Sequence, residues 1–212
     1  TRLLVKSPNG WIGLPYVWND EQTDATLKLT GSQREISVEF ENKKEKKFLY
    51  LVPNFNQCKG CHAQHKDNFE KPVTPIGPKA KNLNRLYKYD NQWKNQLIHL
   101  KEKDFLIDLP NLEQVPKVTD WKDEQQIVSL RAKAYLDINC AHCHNPLGPA
   151  NTSGLFLNTE ENHPSSYGVC KTPVAAGNAS GGHKYDIHPG HPEKSILHHR
   201  MNSVDPAVMM PE

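Results

Sequence analysis

Two five-residue stretches carry the chemistry of this sequence: Cys58-Lys59-Gly60-Cys61-His62 and Cys140-Ala141-His142-Cys143-His144. In each, a histidine directly follows the second of two cysteines spaced three apart. Two thiols on one helical turn can reach the two vinyl groups along one edge of a porphyrin. The next residue then faces the ring centre, where an imidazole nitrogen can bind iron. The residues assigned to that chemistry are Cys58, Cys61, Cys140 and Cys143 as thioether links to two haem c groups, with His62 and His144 as proximal iron ligands.

Two other chemistries use paired cysteines. Four thiolates can hold structural zinc, but these pairs are separated far more widely than the roughly 15–20 residues of a zinc ribbon. Zinc also gives no reason for a histidine after both pairs. A thioredoxin-like redox pair needs a surrounding βαβ pattern, which neither motif has. A small internal repeat favours haem: Pro75-Ile76-Gly77-Pro78 follows the first motif and Pro146-Leu147-Gly148-Pro149 the second. Proximal histidines usually donate their other ring N–H to a backbone carbonyl, and a stiff Gly-Pro loop facing the haem could supply it. Pro78 and Pro149 are therefore candidates to support the ligands, with ordinary Gly-Pro turns as the alternative.

An iron that only passes electrons needs a sixth ligand. All three methionines lie near the C-terminal end: Met201, Met209 and Met210. Met210, stiffened by Pro211, is the expected distal ligand of the second haem, ahead of Met209 and then Met201. The first motif has no nearby methionine, so His99 or His142 is the candidate there, or the position is open. His65 is too near His62 to cross to the other face. His163, His183, His188, His191, His198 and His199 read as surface residues, although those between 183 and 199 cluster. The fifth cysteine, Cys170, has no partner left and reads as an inert thiol.

The elements around these motifs come from the pattern of the rest. Hydrophobic residues make up 36% of the 212 residues and mean hydropathy is -0.73, lean for a chain that must bury its own core unless a porphyrin adds apolar bulk. A net charge of +2 gives no reason to expect nucleic acid. No run approaches the roughly 18 apolar residues of a membrane helix. The chain starts at Thr1 with no signal-peptide pattern and reads as a mature or trimmed product.

Residues 1–52 read as β-rich: Ile36, Val38 and Phe40 alternate with polar residues, Phe48 to Val52 reads as a strand, and Asn9-Gly10 and Thr30-Gly31 read as turns. Lys43, Lys44, Lys46 and Lys47 read as a solvated hairpin end. One helix is expected near Gln92 to Lys101. The strongest, from about Asp123 to Cys140, has Ile127, Leu130, Ala134 and Ile138 on one face. Asn145 to Pro189 reads as a long ordered loop. A short helix follows, with Pro192 near its first turn and Ser195 to Met201 inside.

Several stretches resemble a poorly characterised family of bacterial dihaem c-type cytochromes, some of them lipoproteins. They are Trp11-Ile12-Gly13-Leu14, Trp18-Asn19-Asp20-Glu21-Gln22-Thr23-Asp24-Ala25, Val52-Pro53-Asn54 leading to Gln57-Cys58, and Ile76-Gly77-Pro78-Lys79 with Asn82-Leu83-Asn84. The match continues in Ala134-Tyr135-Leu136-Asp137 through the second motif, Thr152-Ser153-Gly154-Leu155, Pro173-Val174-Ala175-Ala176-Gly177, Tyr185-Asp186-Ile187 and Met209-Met210-Pro211-Glu212. The resemblance covers nearly the whole chain and implies haem c, a cell-envelope location and electron transfer, without naming a substrate.

The expectation is an α+β chain: a β-rich segment over 1–52, then two small, mostly helical haem-binding units over 53–118 and 119–212. Its function is expected to be one-electron transfer in the periplasm or at the cell surface, with redox proteins, other cytochrome subunits or further copies of itself as partners. His/Met ligation would make the second haem the higher-potential site. The alternatives are a dihaem peroxidase with an open first iron, and a subunit of a larger cytochrome assembly or filament.

Overall fold

The computed structural model describes residues 1–39, 45–64 and 72–211. Phe40, Lys43, Lys44, His65 and the side chain of Lys46 fall outside that description. The fold is mixed α+β, with seven strands and five short α-helices among the described residues. It divides into two compact units, Thr1–Ile76 with Leu147–Pro149, and Gly77–Pro146 with Ala150–Glu212.

The first unit is built on strands. β1 (Arg2–Ser7) and β2 (Gly10–Trp18) pair antiparallel across a tight turn, and β3 (Ala25–Leu27) adds to β2. Asn19 shapes the β2–β3 connection, its side-chain oxygen accepting from Thr23 N at 2.9 Å and Asp24 N at 3.2 Å. β4 (Ser32–Glu39) and β5 (Glu45–Val52) form a second, two-stranded ribbon in which Ile36 pairs with Phe48. Gly31 opens that ribbon with φ of 77°, and a Cβ there would lie 2.6 Å from Val52 O, so only glycine fits.

The chain then turns into the first motif through a reciprocal pair of hydrogen bonds: Asn54 N donates to Gln57 Oε1 at 2.9 Å and Gln57 N to Asn54 Oδ1 at 2.8 Å, which satisfies both amides in the turn before the helix. α1 (Lys59–His62) follows at once. Gly13, Pro15, Val52, Ala63 and Val73 are among the buried residues of this unit.

The second unit holds the remaining elements. α2 (Ala80–Leu83) leads into a hairpin of β6 (Leu86–Tyr89) and β7 (Gln92–Asn95), then α3 (Gln96–Glu102). The helix expected from Gln92 therefore starts four residues later. Asp90 takes a positive φ that closes the hairpin, and Asn95 caps the helix by accepting from Leu97 N at 2.9 Å.

α4 (Val128–Asn139) also starts later than the expected Asp123. Asp120 and Asp123 each accept from a backbone N–H two residues on, both at 3.0 Å, and these side-chain turns compete with helix. The buried side of α4 differs from expectation too. Ala134 is buried, but Ile127, Leu130 and Ile138 are 67%, 45% and 47% exposed. Leu136 and Asp137 face inward instead, because Asp137 is drawn to Lys79 and Lys81.

Leu136 and Ala141 pack with Leu157 and Tyr167 in the core, with Cys140, Leu155, Ile187 and Leu197 around them. Between 145 and 189 there is neither strand nor α-helix, only 3-10 turns at Asn151–Ser153 and Gly177–Ser180. A further 3-10 turn at Pro192–Lys194 precedes α5 (Ile196–Asn202).

Residues 77–118 fall in the same compact unit as the second motif. The ion pairs of Lys79 and Lys81 with Asp137 connect them to α4, while Val118 N donating to Lys81 O and Asn84 Nδ2 donating to Val115 O tie residues 77–118 to one another. No helix among the described residues is long and apolar enough to cross a membrane.

Candidate functional site

The first motif sits on one helical turn. Cys58 O accepts from His62 N at 3.0 Å, so both cysteines and the histidine occupy consecutive positions of one coil. Cys58 is half-buried and Cys61 exposed. The Cys58 thiol lies against β2, where a Cβ built on Gly13 would be 2.9 Å from Sγ. The thiol can occupy that place only because residue 13 has no side chain.

Thr74 holds His62 by three contacts. Its N–H and Oγ1 donate to His62 O at 2.7 and 3.1 Å, and its carbonyl lies 2.9 Å from His62 Nδ1. A carbonyl only accepts, so Nδ1 carries a proton, and Nε2 is the ring nitrogen left for a ligand. The carbonyl found at His62 Nδ1 is that of Thr74. A bridge between Ala63 and Val73 fixes Thr74 beside the end of α1; Pro78 itself is exposed.

The second motif follows α4 directly, with His144 N donating to Cys140 O at 2.9 Å. Burial pushes the Cys140 thiol pKa up. His144 is 9% exposed. Burial lowers its pKa, opposed by a hydrogen bond with the Leu155 backbone and by Asp186, and reinforced by Arg200 and His142. A neutral imidazole, the form that binds metals, is the outcome.

Ser153 Oγ lies 3.4 Å from His144 Nδ1. Its single proton goes to Ala150 O at 2.7 Å, and it accepts from Leu155 N at 3.2 Å. Toward His144 this oxygen can therefore only accept, and Nδ1 is again the protonated nitrogen. The groups found at the His144 ring are the Ser153 hydroxyl and the Leu155 backbone.

Met209 and Met210 are half-buried, while Met201 is 40% exposed. The tail folds back on α5: Met210 N donates to Arg200 O at 3.1 Å and Arg200 Nε to Val208 O at 2.9 Å. Arg200 is also one of the charges felt by His144, so the tail is tied to the residue that links it electrically to the second motif. His99 stacks on Tyr89, ring centroids 3.6 Å apart. His99 and His142 both belong to the second unit and His62 to the first. Cys170 is exposed, with a positive φ.

No cysteine is in a disulfide. Among the described residues, no three His, Cys, Asp or Glu side chains converge as a metal-binding group. A porphyrin supplies four of its iron's ligands itself, so a haem needs only one or two protein atoms on the axis. Each motif would offer one such atom, an imidazole with Nδ1 facing an acceptor, beside two cysteines of the same turn. Sequence reasoning missed Thr74, Ser153, Leu155 and Gly13. Ser153, Leu155 and Gly13 fall in the quoted Thr152-Ser153-Gly154-Leu155 and Trp11-Ile12-Gly13-Leu14 stretches, but nothing in those residue types says which histidine or thiol they meet. Searches against protein-family models, curated proteins and solved structures each find no match.

Proposed function

We propose that this chain is a dihaem c-type cytochrome that transfers single electrons in a bacterial cell envelope. The observation that carries the reading is shared by two histidines: each directly follows a Cys-x-x-Cys turn, and each has Nδ1 facing an acceptor, Thr74 O at 2.9 Å and Ser153 Oγ at 3.4 Å, which would leave Nε2 to ligate. Neither a structural zinc ribbon nor a redox dithiol calls for that arrangement.

Cys58 and Cys61 would hold one haem, and Cys140 and Cys143 the other. When bound, haem c supplies a one-electron iron couple whose potential follows axial ligand, burial and hydrogen bonding. The chain does the rest. Thr74 and Ser153 orient the two imidazoles. Leu136, Leu157 and Tyr167 give the second motif a dry wall, while Cys61 lies at an exposed surface where an edge could meet a redox partner. The tail tethered at Arg200 carries Met210, whose thioether would be the second ligand offered to the iron at the second motif. His99 and His142 stand as candidates for the first. Covalent attachment is chemistry of an oxidising compartment, which puts the protein in the periplasm or on the cell surface, with redox proteins or cytochrome subunits as partners.

The test is optical spectra of the oxidised and dithionite-reduced protein, with a pyridine haemochrome assay after denaturation. Two thioether-linked haems per chain are expected, falling to one in Cys58→Ala/Cys61→Ala and in Cys140→Ala/Cys143→Ala. A colourless protein containing zinc overturns the reading. Peroxide turnover with a reduced donor, together with a high-spin component, would replace electron transfer by the peroxidase alternative.

A further inference from the structure

A chain of contacts runs away from His144 through residues that the haem reading does not use. Ser153, whose hydroxyl meets His144 Nδ1, offers its carbonyl to Lys171 Nζ at 2.9 Å. Lys171 Nζ also donates to Asp186 Oδ2 at 3.0 Å and to Thr172 O at 3.4 Å. The ion pair is largely hidden, with side-chain exposures of 14% for Lys171 and 10% for Asp186. The backbone closes the arrangement, Asp186 N donating to Lys171 O at 2.8 Å.

Gly154 closes the turn with φ of 60°, the left-handed region that favours glycine. The 3-10 turn at Asn151–Ser153 has no side-chain cap of its own. A charged donor reaching 18 residues along the chain is a costly way to satisfy one carbonyl, since both ions must leave water. Fixing the carbonyl also fixes the hydroxyl on the same residue.

We propose that Lys171, with Asp186 as its counter-ion, is a positioning residue for His144 and acts through Ser153. The proposal rests on the haem reading above. An acceptor at Nδ1 makes the imidazole a more basic ligand and so favours the ferric state. Loosening Ser153 should therefore raise the potential of the second haem and leave the first unchanged.

The experiment is a spectroelectrochemical titration of the full chain, with haem content checked by haemochrome assay and intact mass. The variants are Ser153→Ala, Lys171→Met/Asp186→Asn, and all three changes together. The paired variant removes one positive and one negative charge, so their fields largely cancel. Ser153→Ala and the paired variant are each expected to shift the second haem's reduction equilibrium about threefold, roughly 28 mV at 59 mV per decade for one electron. The triple variant should add no more. The electron paramagnetic resonance g values of the second ferric haem should move in the same variants.

Additive shifts, or an unmoved potential and unmoved g values alongside a lowered Tm, would make the ion pair merely structural. If the paired variant does not fold, Asp186→Asn replaces it: its shift must differ between the wild-type and Ser153→Ala backgrounds, and equal shifts overturn the proposal. Absence of haem from the wild-type protein overturns both this inference and the reading beneath it. A normal haem content with additive shifts overturns this one alone.

Discussion

Replacing Asp137 by asparagine is the most direct probe of what holds the second unit together. The Asp137 side chain is fully buried. It accepts from Lys81 Nζ at 2.6 Å, Lys79 Nζ at 3.2 Å, Thr159 N at 2.9 Å and Thr159 Oγ1 at 3.3 Å. Removing one partner of a buried ion pair costs about 3–5 kcal/mol. Two features place Asp137→Asn at the low end. Lys81 keeps Glu160 Oε1 at 2.8 Å, and Lys79, 37% exposed, regains water. Asparagine also retains one acceptor for Thr159 N.

The expected loss is about 3 kcal/mol, or about 6–12 °C in Tm for a chain of this size. The sign with pH follows from the carboxyl's environment. Burial alone would raise its pKa, but the Lys81 hydrogen bond, the Thr159 N–H and the two lysine charges together lower it below the ordinary 3.8. A depressed pKa contributes stability that is fully present above the unfolded value and is lost as pH falls through the folded one. The gap between wild type and Asp137→Asn should therefore be full at pH 7 and shrink below about pH 4. Urea unfolding followed by circular dichroism at both pH values measures it. A gap under about 1 kcal/mol at pH 7, or one that grows on acidification, refutes the reasoning.

Three further outcomes are expected. Gly13→Ala would set a methyl 2.9 Å from Cys58 Sγ, so mass spectrometry of haem peptides should show reduced attachment at Cys58/Cys61 and full attachment at Cys140/Cys143; equal loading at both would rule out this steric role. The buried Tyr167 hydroxyl has no hydrogen-bond partner among the described residues, and burial raises its pKa. Tyr167→Phe should thus be neutral or stabilising by up to about 1 kcal/mol, and a clear loss in urea unfolding would reveal a bound water as its partner. Met210→Ala should abolish a thioether-to-iron charge-transfer band near roughly 695 nm in the oxidised protein, whereas an intact band in Met210→Ala that vanishes in Met209→Ala would move the ligand by one residue.

The sequence was informative where residue type alone carries chemistry or geometry. Cys-x-x-Cys-His twice over names the candidate thiols and imidazoles without a structure. Alternation around Ile36 foretold β4, and the Gly- and Pro-rich stretch foretold a loop from 145 to 189 without strand or α-helix. It misled where local and long-range demands compete. The stripe Ile127, Leu130, Ala134 and Ile138 looks like a buried face, yet one buried carboxylate at 137 turns α4 another way. Helix starts at Gln92 and Asp123 were overridden by a hairpin in one case and by Asp side-chain turns in the other.

The candidate ligands, then, were determined by sequence, because three consecutive roles on one helical turn need only local spacing. Their supports were decided by tertiary structure. Thr74 reaches His62 across twelve positions and Ser153 reaches His144 across nine, while Gly13 meets Cys58 from β2. A hydrogen-bond acceptor or a missing side chain leaves no signature in sequence spacing. It acquires a role only when chain folding brings it within about 3 Å of the atom it serves.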